Sequence, residues 1–165
     1  LLEHCQCYFS NVCNQMFMYI NSLAYLSSSH YTPEERHSIC KKLYDIYHII
    51  HEKSDFSYEN EDRLGRLCFR MAQDSAMSGY SERALEELEE MIDHFDRMTE
   101  FTHVDFESVL LNTLSYDKSE VRRVHEENIY SLFLSYLERR IESFESIADT
   151  PRFIAVKQQL AEKAN

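Results

Sequence analysis

Residues 64–95 run LGRLCFRMAQDSAMSGYSERALEELEEMIDHF, and two helices with a tight turn between them are written in that order. Leu64, Leu67, Cys68, Met71, Ala72 and Ser75 recur at the three-and-four spacing that gathers small and apolar groups on one helical face. Gly79 then supplies a residue that can turn left-handed without a Cβ clash and so end the helix. Ser81 is placed to cap the next helix, with Glu82 favourably set in its first turn. The inner face of that second helix carries Ala84, Leu85, Leu88, Met91, Ile92 and Phe95. So short a connection permits only an antiparallel pair. Ala72 and Ala84 stand on opposite sides of the turn, where the two backbones can approach closely.

On both sides of this hairpin the helical pattern continues. Residues 1 to about 28 predict one long helix with Cys5, Phe9, Val12, Cys13, Met16, Ile20, Leu23 and Ala24 as its buried stripe. Ser27-Ser28-Ser29 breaks it. Thr32, Pro33 and Glu35 then form the start signature of a second helix, a capping box with proline at the first position. That helix is expected to bury Ile39, Leu43, Ile46 and Ile50, a spacing that returns in Ala84, Leu88, Met91 and Phe95. The expectation is an all-α chain of tandem antiparallel hairpins, about 1–53 and 59–98, stacked as an α-solenoid within a single domain 1–165. Beyond Met98 the pattern loosens into a helical cap, about 104–165. Within it Val104–Leu114 reads as a short helix or turn and 115–119 as a loop. A helix follows from Glu126 to about Phe144, with Ile129, Phe133, Tyr136, Leu137 and Ile141 inward. A last helix, opened by Thr150 and Pro151, carries Phe153, Val156 and Leu160.

The central hairpin, with Gly79, Tyr80 and Ala84 at its turn, resembles a tetratricopeptide (TPR) unit. It departs from that pattern at Cys68, where an aromatic is expected, and in lacking a proline after Phe95. A wider resemblance covers nearly the whole chain. The long first helix, the Thr-Pro-Glu-Glu hairpin and the Gly-Tyr-x-x-Ala hairpin are followed by Phe101-Thr102 and Leu111-Asn112-x-Leu114-x-Tyr116-Asp117. Phe144-x-x-Ile147-x-x-Thr150-Pro151-Arg152-Phe153 completes the series. Together these are similar to the C-terminal TPR-like region of bacterial helix-turn-helix regulators of the Xre/Cro type, with Thr150 where such regulators carry Asp. The resemblance implies a regulatory or dimerising half whose DNA-binding head lies before Leu1. The chain opens on Leu1, without an initiating Met and already in a helical pattern, which fits the expectation of a piece of a longer protein.

Composition narrows the function classes. Two glycines and two prolines in 165 residues favour long helices and short turns over sheets. Neither a dinucleotide-binding glycine fingerprint nor a phosphate-binding loop can be written with Gly65 and Gly79 alone. A formal net charge of −12 opposes direct gripping of a phosphate backbone, and basic pairs such as Arg122-Arg123 and Arg139-Arg140 are few. The five cysteines, Cys5, Cys7, Cys13, Cys40 and Cys68, form no zinc-type pairs. They read as reduced thiols on mostly apolar faces of a cytoplasmic protein. A signal peptide and an apolar run of membrane-spanning length are both absent from the sequence.

Few residues suggest chemistry. His48-x-x-His51 with Glu52 could nucleate a transition-metal site, and Glu34/His37 and Glu100/His103 have the spacing used in carboxylate-bridged di-iron bundles. Glu34 falls in a solvated first turn and Glu100 at a helix end, so surface histidines and no bound cofactor are expected. The Glu86–Asp93 run reads as a solvated helix face. With no nucleophile elbow or metalloprotease motif, the chain is not expected to be an enzyme.

The tyrosines are more suggestive. Tyr19, Tyr25, Tyr44 and Tyr47 flank the apolar stripes and could edge the core or line a groove. In stacked hairpins the first helix of each pair lines the concave surface. Here it would present Asn14, Met18, Asn21 and Tyr25, then Arg66, Arg70 and Gln73. Asn suits a peptide backbone and Arg a carboxylate, so an extended peptide or small effector is the expected ligand. Three readings follow: the self-associating regulatory half of a transcription regulator, a stand-alone TPR-like scaffold for a protein partner, and a metal-dependent helical enzyme. The first is preferred, as a homodimer that meets DNA only through an N-terminal head and has no membrane partner.

Overall fold

The structure, a computed structural model, describes residues 1–26, 30–51, 56–117 and 128–165. The side chains of residues 21, 23–26 and 116 lie outside that description. Helices dominate, as expected: α1 (Leu2–Leu26), α2 (Pro33–Ile50), α3 (Tyr58–Met77), α4 (Ser81–Glu100), α5 (Ile129–Arg139) and α6 (Pro151–Ala164). Contacts run α1 to α2, α2 to α3 and α3 to α4, so the first four helices pack in chain order. α5 and α6 pair with each other, and α6 also lies on α4.

The central hairpin forms where the sequence places it. Leu64, Cys68, Ala72 and Ser75 on α3, and Ala84, Leu88, Met91 and Phe95 on α4, are all essentially inaccessible to solvent. The turn closes as a Schellman motif: the Tyr80 amide donates to the Ser75 carbonyl at 2.9 Å and the Gly79 amide to Ala76 at 3.1 Å. This geometry puts Gly79 at φ +79°. The cap is Tyr80 rather than Ser81, and no side chain accepts from the first turn of α4. α2 begins on the expected capping box, with the Glu35 amide donating to Thr32 Oγ1 and the Thr32 amide to Glu35 Oε2.

Several inward faces differ from the sequence reading. On α1 the buried residues are Gln6 and Phe17, whereas Cys5, Val12 and Met16 are exposed; Leu23 and Ala24 lie outside the described side chains. Gln6 holds this register through its amide: it donates to the Val109 carbonyl and Asn112 and accepts from the Thr113 amide at 2.9 Å. On α2 the core side is Cys40, Leu43, Tyr44 and Tyr47, so the latter two tyrosines fill the interior instead of flanking it, while Ile39, Ile46 and Ile50 are half-buried. Cys40 and Cys68 are core thiols, but Cys5 and Cys7 face solvent.

The region after Met98 contains a two-stranded antiparallel ribbon, β1 (His103–Asp105) with β2 (Ser115–Asp117), in place of the expected short helix and loop. The connection between the strands docks onto α1 and α2: Gln6 grips residues 109–113, and Ser108 donates to the Ile50 carbonyl at 2.7 Å at the end of α2. α5 ends at Arg139, earlier than expected, and its start is fixed by Asn128, whose side chain accepts from the Tyr130 and Ser131 amides. A 3₁₀ turn, Ile141–Phe144, follows and reverses the inward choice. Ile141 is exposed, and Phe144 and Ile147 are buried instead. Phe133 of α5 packs edge-on to Phe69 of α3, at 5.1 Å between centroids, and against Phe95 of α4 at 4.7 Å. α6 starts on Thr150, which accepts from the Phe153 amide, and buries Phe153, Val156 and Leu160 as read from sequence. Arg152 ties α6 to Glu82 and Glu89 of α4, and Lys163 binds Asp96.

Candidate functional site

A cleft of about 380 Å³ opens where α1, α3 and α5 meet. Its lining is unlike the rest of this acidic chain, with four arginines, Arg63, Arg66, Arg70 and Arg140, against a single carboxylate, Asp62. Phe17, Phe69, Phe133 and Tyr136 supply aromatic surface beneath them, and Met18 lies at the edge.

Helical spacing explains the row of cations. Arg63, Arg66 and Arg70 recur at three and four residues along α3, so they share one face, adjacent to the face that carries Leu64, Leu67 and Met71 into the core. The guanidiniums of Arg63, Arg66 and Arg140 are each held in place. Arg63 donates to Asn14 and to the Tyr47 hydroxyl at 3.2 Å, and lies 5.3 Å from the centre of the Phe17 ring. Arg66 reaches both oxygens of Asp62 from Nε, at 2.9 and 3.0 Å, and sits 5.5 Å from the Phe133 ring centre. Arg140 donates to Gln73 Oε1 at 3.1 Å, and Gln73 in turn donates to Ser143. Stacking on aromatic rings orients a guanidinium while leaving its edge N–H groups available, the geometry that suits a planar carboxylate.

The residues expected from sequence to line a groove therefore divide. Met18, Arg66 and Arg70 line the cleft. Asn14 and Gln73 stand behind it, each accepting a hydrogen bond from one of its arginines. Asn21 and Tyr25 lie outside the described side chains. Arg63 was legible as the third member of the Arg66/Arg70 row, but Arg140 and the aromatic floor were not. Of these, Phe133 and Tyr136 arrive from α5 and Arg140 from the residue that caps its C-terminus, some seventy residues further along the chain, with no local signal that they would face α3.

The residues weighed as metal ligands do not converge. His37 donates instead to Glu87 at 2.6 Å, and His103 meets Asp105 at 3.1 Å. Glu52 lies outside the described residues, and among those described no group of three or more His, Cys, Asp or Glu side chains could hold a metal ion. The acidic run of α4 is only in part the solvated face expected: Glu86 and Asp93 are exposed, but the other acids are engaged. Glu87 is buried and accepts from both His37 and Ser75, Glu89 pairs with Arg152, and Glu90 accepts from the Tyr44 hydroxyl at 2.5 Å. Arg122-Arg123 lies outside the described residues. Among those described, no helix is long and apolar enough to cross a membrane.

Comparison with protein-family models, with curated proteins and with solved structures finds no match for this chain.

Proposed function

We propose that this chain is a non-enzymatic interaction domain that takes an anionic, carboxylate-bearing segment in the arginine cleft. In that reading it is the self-associating regulatory half of a cytoplasmic helix-turn-helix transcription regulator. Its helical hairpins, the Gly79 turn and the α1/α3 surface fit a TPR-like scaffold, in which a peptide lies along the concave side.

The observation that carries the reading is the charge of the cleft. Four of the chain's 17 basic residues converge on one opening in a molecule of net charge −12. Asp62 already accepts from Arg66, at the place where a ligand carboxylate would compete. The aromatic floor adds apolar contact for the side chain next to such a carboxylate.

The test is fluorescence anisotropy with a library of short peptides that end in free or amidated carboxyl groups. Peptides rich in Asp and Glu, or with a free C-terminus, should bind best, and binding should weaken with salt. Arg66→Glu with Arg70→Glu should abolish it and leave the helical circular dichroism unchanged. Equal binding of neutral and acidic peptides would overturn the reading.

A further inference from the structure

From α1 we infer a dimer seam: the outward face of this helix is the surface on which a second copy of the chain docks, antiparallel and two-fold. This rests on the self-association in the reading above and goes further by placing the interface. Leu1, Cys5, Tyr8, Val12, Met16 and Tyr19 follow one another at three or four residues and all are exposed, Tyr8 at 71% and Tyr19 at 67%. At about 100° per residue they share a stripe roughly 80° wide on the side away from the buried Gln6 and Phe17. That is the pattern of a helix meeting another long helix.

Charge identifies the occupant. Residues 1–26 contain one formally charged side chain, Glu3, in a chain that is 28% charged. At the chain's own average a stretch of that length would carry about seven. A face that simply met water would not be depleted in this way. Two copies at −12 each repel, so they can associate only across a surface that brings no further charge together. The absence of Lys and Arg on α1 likewise removes the attraction that an acidic partner or an anionic lipid surface would need.

Size and shape agree. The stripe offers roughly 500 Å² of exposed apolar surface per copy, about 1,000 Å² for a pair, the area at which specific association begins. Centring an antiparallel pair on Val12 sets Tyr8 beside the partner's Met16, and Cys5 beside the partner's Tyr19. Each large side chain then faces a smaller or more pliant one.

Light scattering and sedimentation of the full chain at micromolar concentration should give twice the 19.7 kDa monomer mass. Tyr8→Glu with Val12→Glu, both at exposed positions, should weaken the dimer about 100-fold or more and leave helicity and peptide binding intact. Oxidation of Tyr19→Cys should link it to Cys5 of the other copy, as mapped by mass spectrometry. A wild-type monomer would overturn both this inference and the self-association proposed above. A dimer indifferent to the two glutamates would overturn the α1 seam alone, as would a Cys5–Cys5 link, which requires parallel helices. Wild-type monomers that bind neutral vesicles through α1 would assign the face to lipid and overturn the inference as well.

Discussion

Position 65 has no side chain, and the Phe95 ring occupies the space that one would need. A Cβ built on Gly65 would overlap the near edge of that ring, which is fully buried and wedged between α3 and α5. Gly65→Ala should therefore cost about 1–3 kcal/mol through overpacking, even though alanine is the better helix former. Gly79 is the opposite case. Nothing lies within 4 Å of a Cβ there, and the cost comes only from φ +79°. Gly79→Val should lose about 1–2 kcal/mol and Gly79→Asn distinctly less, because asparagine tolerates the left-handed region. Urea midpoints of the three variants would separate the two mechanisms. Gly65→Ala as stable as wild type would mean that Phe95 can move aside. Gly79 could be read from sequence, since a turn residue announces itself between two periodic stretches. Gly65 could not, because its reason sits thirty positions away.

At the scale of elements, α2, α3 and α4 are joined by polar groups inside an apolar frame. His37 of α2 donates to Glu87 of α4, which also accepts from Ser75 of α3 at 2.7 Å, and Arg83 donates to that same hydroxyl. Near the other end, Glu61 of α3 accepts from His94 Nδ1 and from Arg97 Nε, both on α4. Nδ1 carries one proton, so it donates to Glu61 and cannot also accept from Arg97 Nη2, though that atom lies 2.8 Å away. Glu87→Ala leaves His37 and Ser75 without their shared acceptor in a buried setting and should cost about 2–4 kcal/mol. The exposed Glu86→Ala should stay within about 0.5 kcal/mol. Equal costs for the two variants, measured by urea denaturation, would show that the seam does not hold the helices together. Sequence periodicity found these helices and the apolar sides of α3, α4 and α6. It missed the polar seam because a glutamate in a run of glutamates carries no mark of which one turns inward. On α1 it erred for a related reason: both sides of that helix are apolar, so the pattern alone could not say which side meets α2. The ribbon at 103–105 and 115–117 escaped notice because three-residue strands are shorter than any alternation that could announce them.

For the molecule as a whole, its buried ionisable groups set a limit at high pH. Burial raises the Cys40 thiol from the ordinary 9.0 to about 11, with Arg70 and Arg36 partly opposing. Burial, then the carboxylates of Glu90 and Glu87, pushes Cys68 well above its ordinary range. Burial and the hydrogen bond to Glu90 raise Tyr44, and burial carries Tyr130 to about 12. In each case the folded pKa exceeds the unfolded one, so the folded state holds its protons more tightly. The stabilisation is whole below the unfolded value and is lost as pH climbs through the folded one. For Cys40 that window runs from pH 9 to about 11 and is worth about 2–3 kcal/mol. Urea midpoints should accordingly be level between pH 7 and 8.5 and fall steeply from pH 9 upward. Cys40→Ala should start slightly less stable, because a buried sulfur is lost, and then decline more slowly between pH 9 and 11, so that the two curves converge. A wild-type curve that stays level to pH 11 would mean that these thiols reach solvent without unfolding, and that the α2–α3 packing around Cys40 opens readily.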